Sequence, residues 1–294
     1  MTAMFIVPII IAIASAAMLG FQSRPVRPAV TVVLLTGAAV LVAGVTFGVA
    51  LLLVLLLASR LLRHRLEWCQ HLTHAHDLPV IVEAGAAPVA VAMVVQGWLH
   101  ARARRLPQRP EGENSLVVLP SERAAAYSLP GRPGRVVVTV GMLRALDGPE
   151  RRAMLAHEQA HLRYKHHRYV FLSSLAAAVL PVLAPVAARV RYATERWADE
   201  VAAAVVGDRA VVARALARAS LAASQIATPV GALSISDEGA VARVRFLLGQ
   251  DSPSRFDALR TLAGAGFAGL AIAGLSMQAE HVFSLVAHVC ELSG

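Results

Sequence analysis

The chain has 294 residues, of which 56% are hydrophobic and only 16% charged, and its mean hydropathy is +0.58. Soluble globular proteins are about 25% charged, so this composition excludes an ordinary soluble domain and predicts a membrane protein. The net charge is +9. The arginines cluster at the ends of apolar blocks, where they meet lipid headgroups and orient membrane spans. We therefore predict no direct binding of nucleic acid.

Four apolar blocks are each long enough to cross a bilayer as a helix. They cover residues 2–20, 29–59, 78–99 and 261–277. A signal peptide is the alternative for the first block, but no Lys or Arg precedes it, which favours a retained span. The sequence thus predicts a membrane region over residues 1–100 and a transmembrane helix with a short tail over residues 258–294. The predicted class is a mainly α integral membrane protein with about four transmembrane helices.

Residues 101–257 hold most of the remaining charge and are predicted to form an α+β domain. Three short strand-like runs are separated by turns rich in proline and glycine, and they cover residues 115–119, 124–129 and 135–140. A helix is expected to begin at Asp147-Gly148-Pro149-Glu150, because this run offers a cap, a proline for the first turn and an early acid. An amphipathic helix is expected over Asp208 to Gln225.

The helix that begins near Asp147 carries the HExxH motif His157-Glu158-Gln159-Ala160-His161. Residues four apart share a helix face, so both imidazoles can reach one metal ion. Glu158 lies beside them and can take a proton from a water molecule on that metal. This arrangement is typical of zinc hydrolases, in which the ion lowers the pKa of its water and polarises the scissile carbonyl.

Catalytic zinc usually takes three protein ligands, so a third is expected elsewhere in the chain. A helical stretch from about Arg191 to Val206, ended by Gly207, carries Glu195 and Asp199 on one face. Glu195 is the predicted third ligand. Asp199 is placed to hydrogen-bond a ligand histidine and so to orient it.

These residues resemble the integral-membrane gluzincin metallopeptidases, which include HtpX-type quality-control proteases, CAAX prenyl endoproteases and BlaR/MecR-type sensor peptidases. The resemblance is carried by the HExxH motif, by the helix with Glu195 and Asp199, and by the stretch 126–143 before them. It is best from about residue 115 to residue 210. The resemblance implies a zincin-like domain with one zinc ion held by His157, His161 and Glu195, and Glu158 as the general base.

The resemblance also implies how a protein or peptide substrate binds. The stretch before Gly141 resembles the edge strand of the family, onto which a substrate peptide adds as a further strand. The residues expected to contact that peptide are Ala126, Tyr127 and Ser128.

Residues 169–188 form a further apolar stretch, but one crossing there would put His161 and Glu195 on opposite sides of the bilayer. We therefore predict a re-entrant hairpin or an interfacial helix pair, bent at Pro181 and Pro185. In a four-span topology the first loop and the zinc domain share a side, and their arginines make that side cytoplasmic. The arginines that follow the second block would then lie on the outer side of the membrane, which opposes this orientation because basic residues favour the cytoplasmic side.

The leading hypothesis is a zinc-dependent endopeptidase, multi-pass in a cell membrane, with a cytoplasmic catalytic domain. It would act in regulated proteolysis of a cytoplasmic repressor or in quality control of membrane proteins. About 16 residues follow the last predicted span, so the expected enzyme is either an orphan peptidase with another trigger or one that works with a separate sensor protein. The alternative is a non-catalytic membrane scaffold or signalling partner that keeps the zinc site. Cys69 and Cys290 fall on the same outer side, and their pairing is left open.

Overall fold

The computed structural model describes residues 27–62, 80–103, 115–224 and 235–250. Within these ranges the protein is mostly helical, with one small sheet. The strands are β1 Leu116–Leu119, β2 Ala126–Leu129 and β3 Arg135–Thr139. The helices are α1 Pro28–Leu62, α2 Val80–Ala103, α3 Val140–Ala145, α4 Gly148–Arg163, α5 His166–Val179, α6 Ala184–Val206, α7 Arg209–Ser224 and α8 Ile235–Leu247.

Helices α1 and α2 correspond to the second and third apolar blocks of the sequence. By length and composition alone, both helices are able to cross a bilayer, over Pro28–Leu55 in α1 and Ala84–Ala103 in α2. Helix α2 continues through Pro88. The predicted spans at 2–20 and within 258–294 lie outside the described residues.

The three strands form one sheet in the order β1-β3-β2 and lie within the three predicted runs. Strand β3 pairs in parallel with β1 and antiparallel with β2. The prediction that the stretch before Gly141 is an edge strand is wrong for β3, which lies in the centre. Its continuous apolar run Val136–Val138 is buried, as suits a strand covered on both faces. Strand β2, with Ala126 to Ser128, lies at an edge of the described sheet.

Helix α4 begins where the sequence predicts, because Asp147 and Glu150 form a capping box. The Asp147 side chain accepts a hydrogen bond from the Glu150 backbone N–H at 2.9 Å, and the Glu150 carboxylate accepts one from the Asp147 N–H at 3.1 Å. Both bonds satisfy donors that the first helical turn leaves free. The start of the helix that carries the HExxH motif is therefore fixed by local sequence.

The apolar stretch 169–188 forms two helices with one bend between them. Leu180 is extended because it precedes Pro181, and a 3-10 turn at Pro181–Leu183 leads directly into α6. Pro185 does not bend the chain: it lies in the first turn of α6, where no hydrogen bond from its nitrogen is required. Helix α6 consequently begins seven residues before the predicted Arg191. It ends at Gly207, as predicted, with φ 76°.

Helix α6 is held from two sides. Its first half joins an apolar core with α1 and α5, in which Val32, Leu35, Leu183, Val186 and Val190 are buried. Its second half joins another core with α4, α7 and α8, which includes Ala153, Ala202, Val211, Val212 and Leu247. Helices from the predicted membrane region and from the predicted catalytic domain thus share one continuous packing arrangement.

Gly141 follows β3 at a point where another part of the backbone comes very close. A Cβ atom at Gly141 would lie 2.1 Å from the carbonyl oxygen of Glu122, and the Gly141 N–H donates to the Ser121 carbonyl at 2.9 Å. Any side chain here would push away the segment that leads into β2.

We predict that Gly141→Ala lowers the free energy of unfolding by about 1–3 kcal/mol, since backbone rather than a side-chain end must move. The matched control is Gly148→Ala, where nothing lies within 4 Å of the added Cβ. The melting temperatures of both variants in detergent would be compared with that of the wild type. Equal melting temperatures for the two variants would contradict the close approach at Gly141.

Candidate metal centre

Helices α4 and α6 pack against each other and bring three ligand groups to one point. His157 and His161 lie on the face of α4 that meets α6, and Glu195 lies on the facing side of α6. One atom from each of the three side chains lies within 4.8 Å of the others. The structure therefore brings together the three residues that the sequence analysis selected as metal ligands.

The distances between these atoms suit a tetrahedral zinc ion. The two Nε2 atoms of His157 and His161 are 3.1 Å apart, and they lie 3.4 and 3.6 Å from the nearer carboxylate oxygens of Glu195. Ligands about 2.0–2.1 Å from a tetrahedral zinc ion lie about 3.3 Å from one another. Two imidazoles and one carboxylate are also the donor set of many catalytic zinc sites. The residues present thus fit one zinc ion.

Asp199 fixes the orientation of the first ligand. Its carboxylate oxygen Oδ1 lies 3.0 Å from Nδ1 of His157, and its side chain is only 5% exposed. Burial alone would lower the pKa of His157, but the bonds and charges of Asp199 and Glu195 raise it to about 10. Zinc and a proton therefore compete for Nε2 of His157, so binding of the metal releases a proton.

Arg243 of α8 connects the two carboxylates of α6. Its Nε and Nη2 donate to the two oxygens of Asp199, both at 2.7 Å, and its Nη1 lies 3.0 Å from Glu195. Burial alone would raise the pKa of Asp199, but bonds from Arg243 and His157 lower it. Arg243 thus offsets the repulsion between two carboxylates that lie one helical turn apart.

His161 is held by a second histidine, His166 at the start of α5. The Nδ1 atoms of the two rings are 3.0 Å apart. Burial lowers the pKa of His161 to about 4 and that of His166 to about 3, so both rings are neutral at pH 7. For Nε2 of His161 to present its lone pair, its proton must be on Nδ1, which then donates to His166. Trp197 packs against His166 with ring centroids 4.7 Å apart.

Glu158 lies beside the ligand atoms at the junction of two cavities. Burial raises its pKa, while the charge of His157 and a hydrogen bond from the Ser128 hydroxyl oppose the shift. A carboxylate with a raised pKa is a stronger base, which suits a group that accepts a proton and later returns it. The structure thus places Glu158 where the HExxH spacing predicts it.

One of these cavities is a cleft of about 420 Å³, which we call the histidine cleft. Its helix side includes His157, Glu158, His161 and Glu195, and its other side is strand β2 with Ala126, Tyr127 and Ser128. The three residues predicted to contact a substrate therefore face the ligand group across an open cleft.

Sequence reasoning missed two residues of this centre. His166 is only 1% exposed, and its place five residues after His161 gives no helical spacing that would suggest contact. Arg243 is separated from Asp199 by 44 residues. The sequence offers only a weak signal for Arg243. This charged residue follows four small or apolar residues, Gly239-Ala240-Val241-Ala242, within a helix.

Comparison with known proteins gives one family. The family model described as peptidase family M48 matches residues 91–261, which is more than half of the chain. No curated protein and no solved structure matches the chain. The matched range contains every residue of the metal centre.

We predict that Asp199→Asn lowers zinc affinity about 10- to 100-fold, the usual effect of losing a partner of a ligand histidine. An asparagine amide can donate to Nδ1 of His157, which would leave the proton on Nε2, the atom that must bind the metal. Zinc affinity would be measured by competition with a chelating dye.

The matched control is Asp208→Asn. Asp208 caps α7 by accepting hydrogen bonds from the Ala210 and Val211 N–H groups, and asparagine caps a helix about equally well. We expect wild-type zinc affinity in this variant. Wild-type affinity in Asp199→Asn as well would refute the orienting role of Asp199.

Proposed function

The chain belongs to peptidase family M48, whose members are zinc-dependent metallopeptidases, and from this we propose a membrane-embedded zinc endopeptidase that cleaves a protein substrate at a cytoplasmic site. The observation that carries the proposal is the convergence of His157, His161 and Glu195 with Glu158 beside them. A zinc ion, when bound, lowers the pKa of a water ligand and polarises the scissile carbonyl.

Glu158 is the group that moves the proton. Its carboxylate takes a proton from the attacking water, whose oxygen forms the new bond to the carbonyl carbon. The same carboxylate then gives this proton to the leaving nitrogen as the peptide bond breaks. The hydrogen bond from Ser128 holds the carboxylate in place while it performs both transfers.

Strand β2 supplies the means of aligning a peptide. It is at an edge of the described sheet, it borders the histidine cleft, and its backbone can pair with an extended segment. Substrate recognition of this kind requires an unfolded or flexible stretch of protein. A cytoplasmic repressor with an exposed linker and a misfolded membrane protein both meet this requirement, so the proposal includes regulated proteolysis and quality control.

Membrane embedding is supported by the exposed surfaces of α1 and α2. Many large apolar side chains are exposed on these surfaces, which is unusual for a soluble protein. They include Val30, Val33, Leu34, Val40 and Leu41 of α1, and Val89, Val91, Val94, Val95, Trp98 and Leu99 of α2. At the end of α2 the Arg102 guanidinium lies 5.1 Å from the centre of the Trp98 ring. Tryptophan and arginine together are typical of the boundary between lipid and water.

The contacts of the α5–α6 bend favour a shallow position in the membrane. A Cβ at Gly97 of α2 would lie 3.2 Å from Val179, the last residue of α5. Gly97 is five residues from Arg102, which corresponds to about 7.5 Å along a helix. With Arg102 at the headgroups, the bend would reach at most about a quarter of the way through a hydrocarbon core of about 30 Å. The catalytic centre would then lie close to the membrane surface.

Among membrane gluzincins, the proposal favours the BlaR/MecR-type and HtpX-type enzymes. In both, cleavage is directed at another protein. The alternative of a non-catalytic zinc scaffold requires the same ligands but has no need of Glu158. Replacement of this one residue therefore separates the two functions.

We expect wild-type protein and Glu158→Gln, purified in detergent, to bind about one zinc ion each, because glutamine leaves the ligands intact. Loss of the base should lower the rate of casein cleavage at least about 100-fold. Zinc content would be measured by mass spectrometry and cleavage by gel. One zinc ion without cleavage by the wild type would favour the scaffold, and no zinc in either protein would refute the metal centre.

The cytoplasmic position of the site can be tested with Arg132→Cys, made in a chain that carries Cys69→Ser and Cys290→Ser. Arg132 is exposed in the turn between β2 and β3. We expect a membrane-impermeant maleimide to label it only after cells are permeabilised. The cysteine-free chain is the control for background, and labelling in intact cells would place the catalytic domain outside.

A further inference from the structure

A second cavity opens on the other side of Glu158 from most of the histidine cleft. We call it the apolar cavity; its volume is about 200 Å³. It shares His157, Glu158, Glu195 and Ala126 with the histidine cleft. The bond to be cleaved must lie beside Glu158, so a bound peptide at this bond has one cavity on each side.

The walls of the apolar cavity are small or apolar side chains from four elements. Met142 of α3 and Met154 of α4 form one side, and Val212, Leu216 and Ala219 of α7 form another. Helix α7 is held against α4 by an ion pair of 2.8 Å between Arg218 and Glu150, whose side chain is only 1% exposed. This ion pair helps to keep α7 in place beside the cavity.

The charged groups that border the apolar cavity disfavour the binding of a charged substrate side chain. Nε, Nη1 and Nη2 of Arg243 all contact Asp199 or Glu195. An acidic substrate side chain would have to displace these carboxylates and would also be repelled by Glu158. A basic side chain would lose its water in a space bounded by two methionines, and if it paired with Glu158 it would occupy the carboxylate that must accept the proton.

Strand β2 sets the direction in which a peptide meets the two cavities. Residues Ala126, Tyr127, Ser128 and Pro130 border the histidine cleft, whereas of these only Ala126 borders the apolar cavity. A peptide that pairs antiparallel with β2, as β3 does, runs from the Pro130 end towards the Ala126 end. Its N-terminal part then lies in the histidine cleft, and the residue after the cleaved bond meets the apolar cavity.

We propose that the apolar cavity is a specificity pocket that takes a large apolar side chain, such as leucine, methionine or phenylalanine, from the substrate residue directly after the cleaved bond. This inference rests on the proposed peptidase function. A dry cavity of about 150 Å³ can hold a benzene ring, so the observed volume has room for one such side chain. Burial of that side chain beside Glu158 would also align the bond for cleavage.

Two substitutions on α7 should change the pocket in opposite directions. Ala219→Leu narrows it and Leu216→Ala widens it. Each has a matched control on the same helix: Ala223→Leu, at an exposed position, and Leu221→Ala, whose side chain is 63% exposed. Zinc content equal to that of the wild type would show that each variant keeps its fold.

The first measurement maps cleavage sites in a synthetic peptide mixture randomised at every position, with products read by mass spectrometry. For the wild type and both controls, leucine, methionine and phenylalanine should be enriched directly after the cleaved bond. Ala219→Leu should shift the preference to alanine and serine, and Leu216→Ala should shift it to phenylalanine and tryptophan. An unchanged preference in both pocket variants, or enrichment of charged residues in the wild type, would overturn the proposal.

The second measurement does not depend on cleavage. Two hydroxamate probes that differ only in an isobutyl or a methyl side chain next to the zinc-binding group would be compared by their dissociation constants. The wild type should bind the isobutyl probe at least about tenfold more tightly, and Ala219→Leu should bring the ratio near one. Equal binding of both probes by the wild type would overturn the pocket. Selective binding without any peptide cleavage would support the pocket and overturn the peptidase function.

Discussion

The structure depends on a set of largely buried charges that compensate one another between α4, α6 and α8. A charge removed from water is costly unless an opposite charge lies beside it. Asp199 is paired with Arg243 and with His157, and Glu195 is paired with the same two residues. The pairing keeps both carboxylates ionised, which is the form that a metal ligand and its orienting partner require.

The same charges explain why α6 is packed so firmly. The distances between ligand atoms in the metal centre are kept only if the helix that carries Glu195 and Asp199 does not shift along its axis. Val186 and Val190 pack the first half of α6 against α1 and α5. Ala202 and Ala203 pack the second half against α4, α7 and α8. The many alanines of this helix allow its neighbours to come close, so the imidazoles of α4 reach the carboxylates of α6 without a long side chain between them.

What the sequence predicts well is determined locally. The capping box at Asp147, the end of α6 at Gly207 and the common face of His157 and His161 each depend on residues within one or two helical turns. The mutual position of Glu195 and Asp199 follows from the same helical period. Each of these features therefore required only the rule that residues three or four apart are neighbours, and the structure has them at the predicted positions.

What the sequence does not predict is determined by contacts between distant segments. The central position of β3 depends on which strands pair across the sheet, and the continuous valines Val136–Val138 were the signal for it. Arg243 belongs to a helix that the pattern of charges did not distinguish from an ordinary surface helix. Two prolines in the sequence allowed two bends, but the chain bends only at Pro181, because Pro185 lies in the first turn of α6.

Helix α6 contacts α1 and also carries two residues of the metal centre, which has a mechanical consequence for the proposed enzyme. One rigid helix contacts α1 through its first half and holds Glu195 and Asp199 in its second half, with no loop between the two functions. A shift of α1 would therefore be transmitted through α6 to Glu195, whose histidine neighbours on α4 are also anchored by packing against β3. Three ligand atoms within 4.8 Å tolerate little displacement before they cease to share a metal ion. Packing between α1 and α6 therefore contributes to the geometry of the metal centre, together with the hydrogen bonds around it.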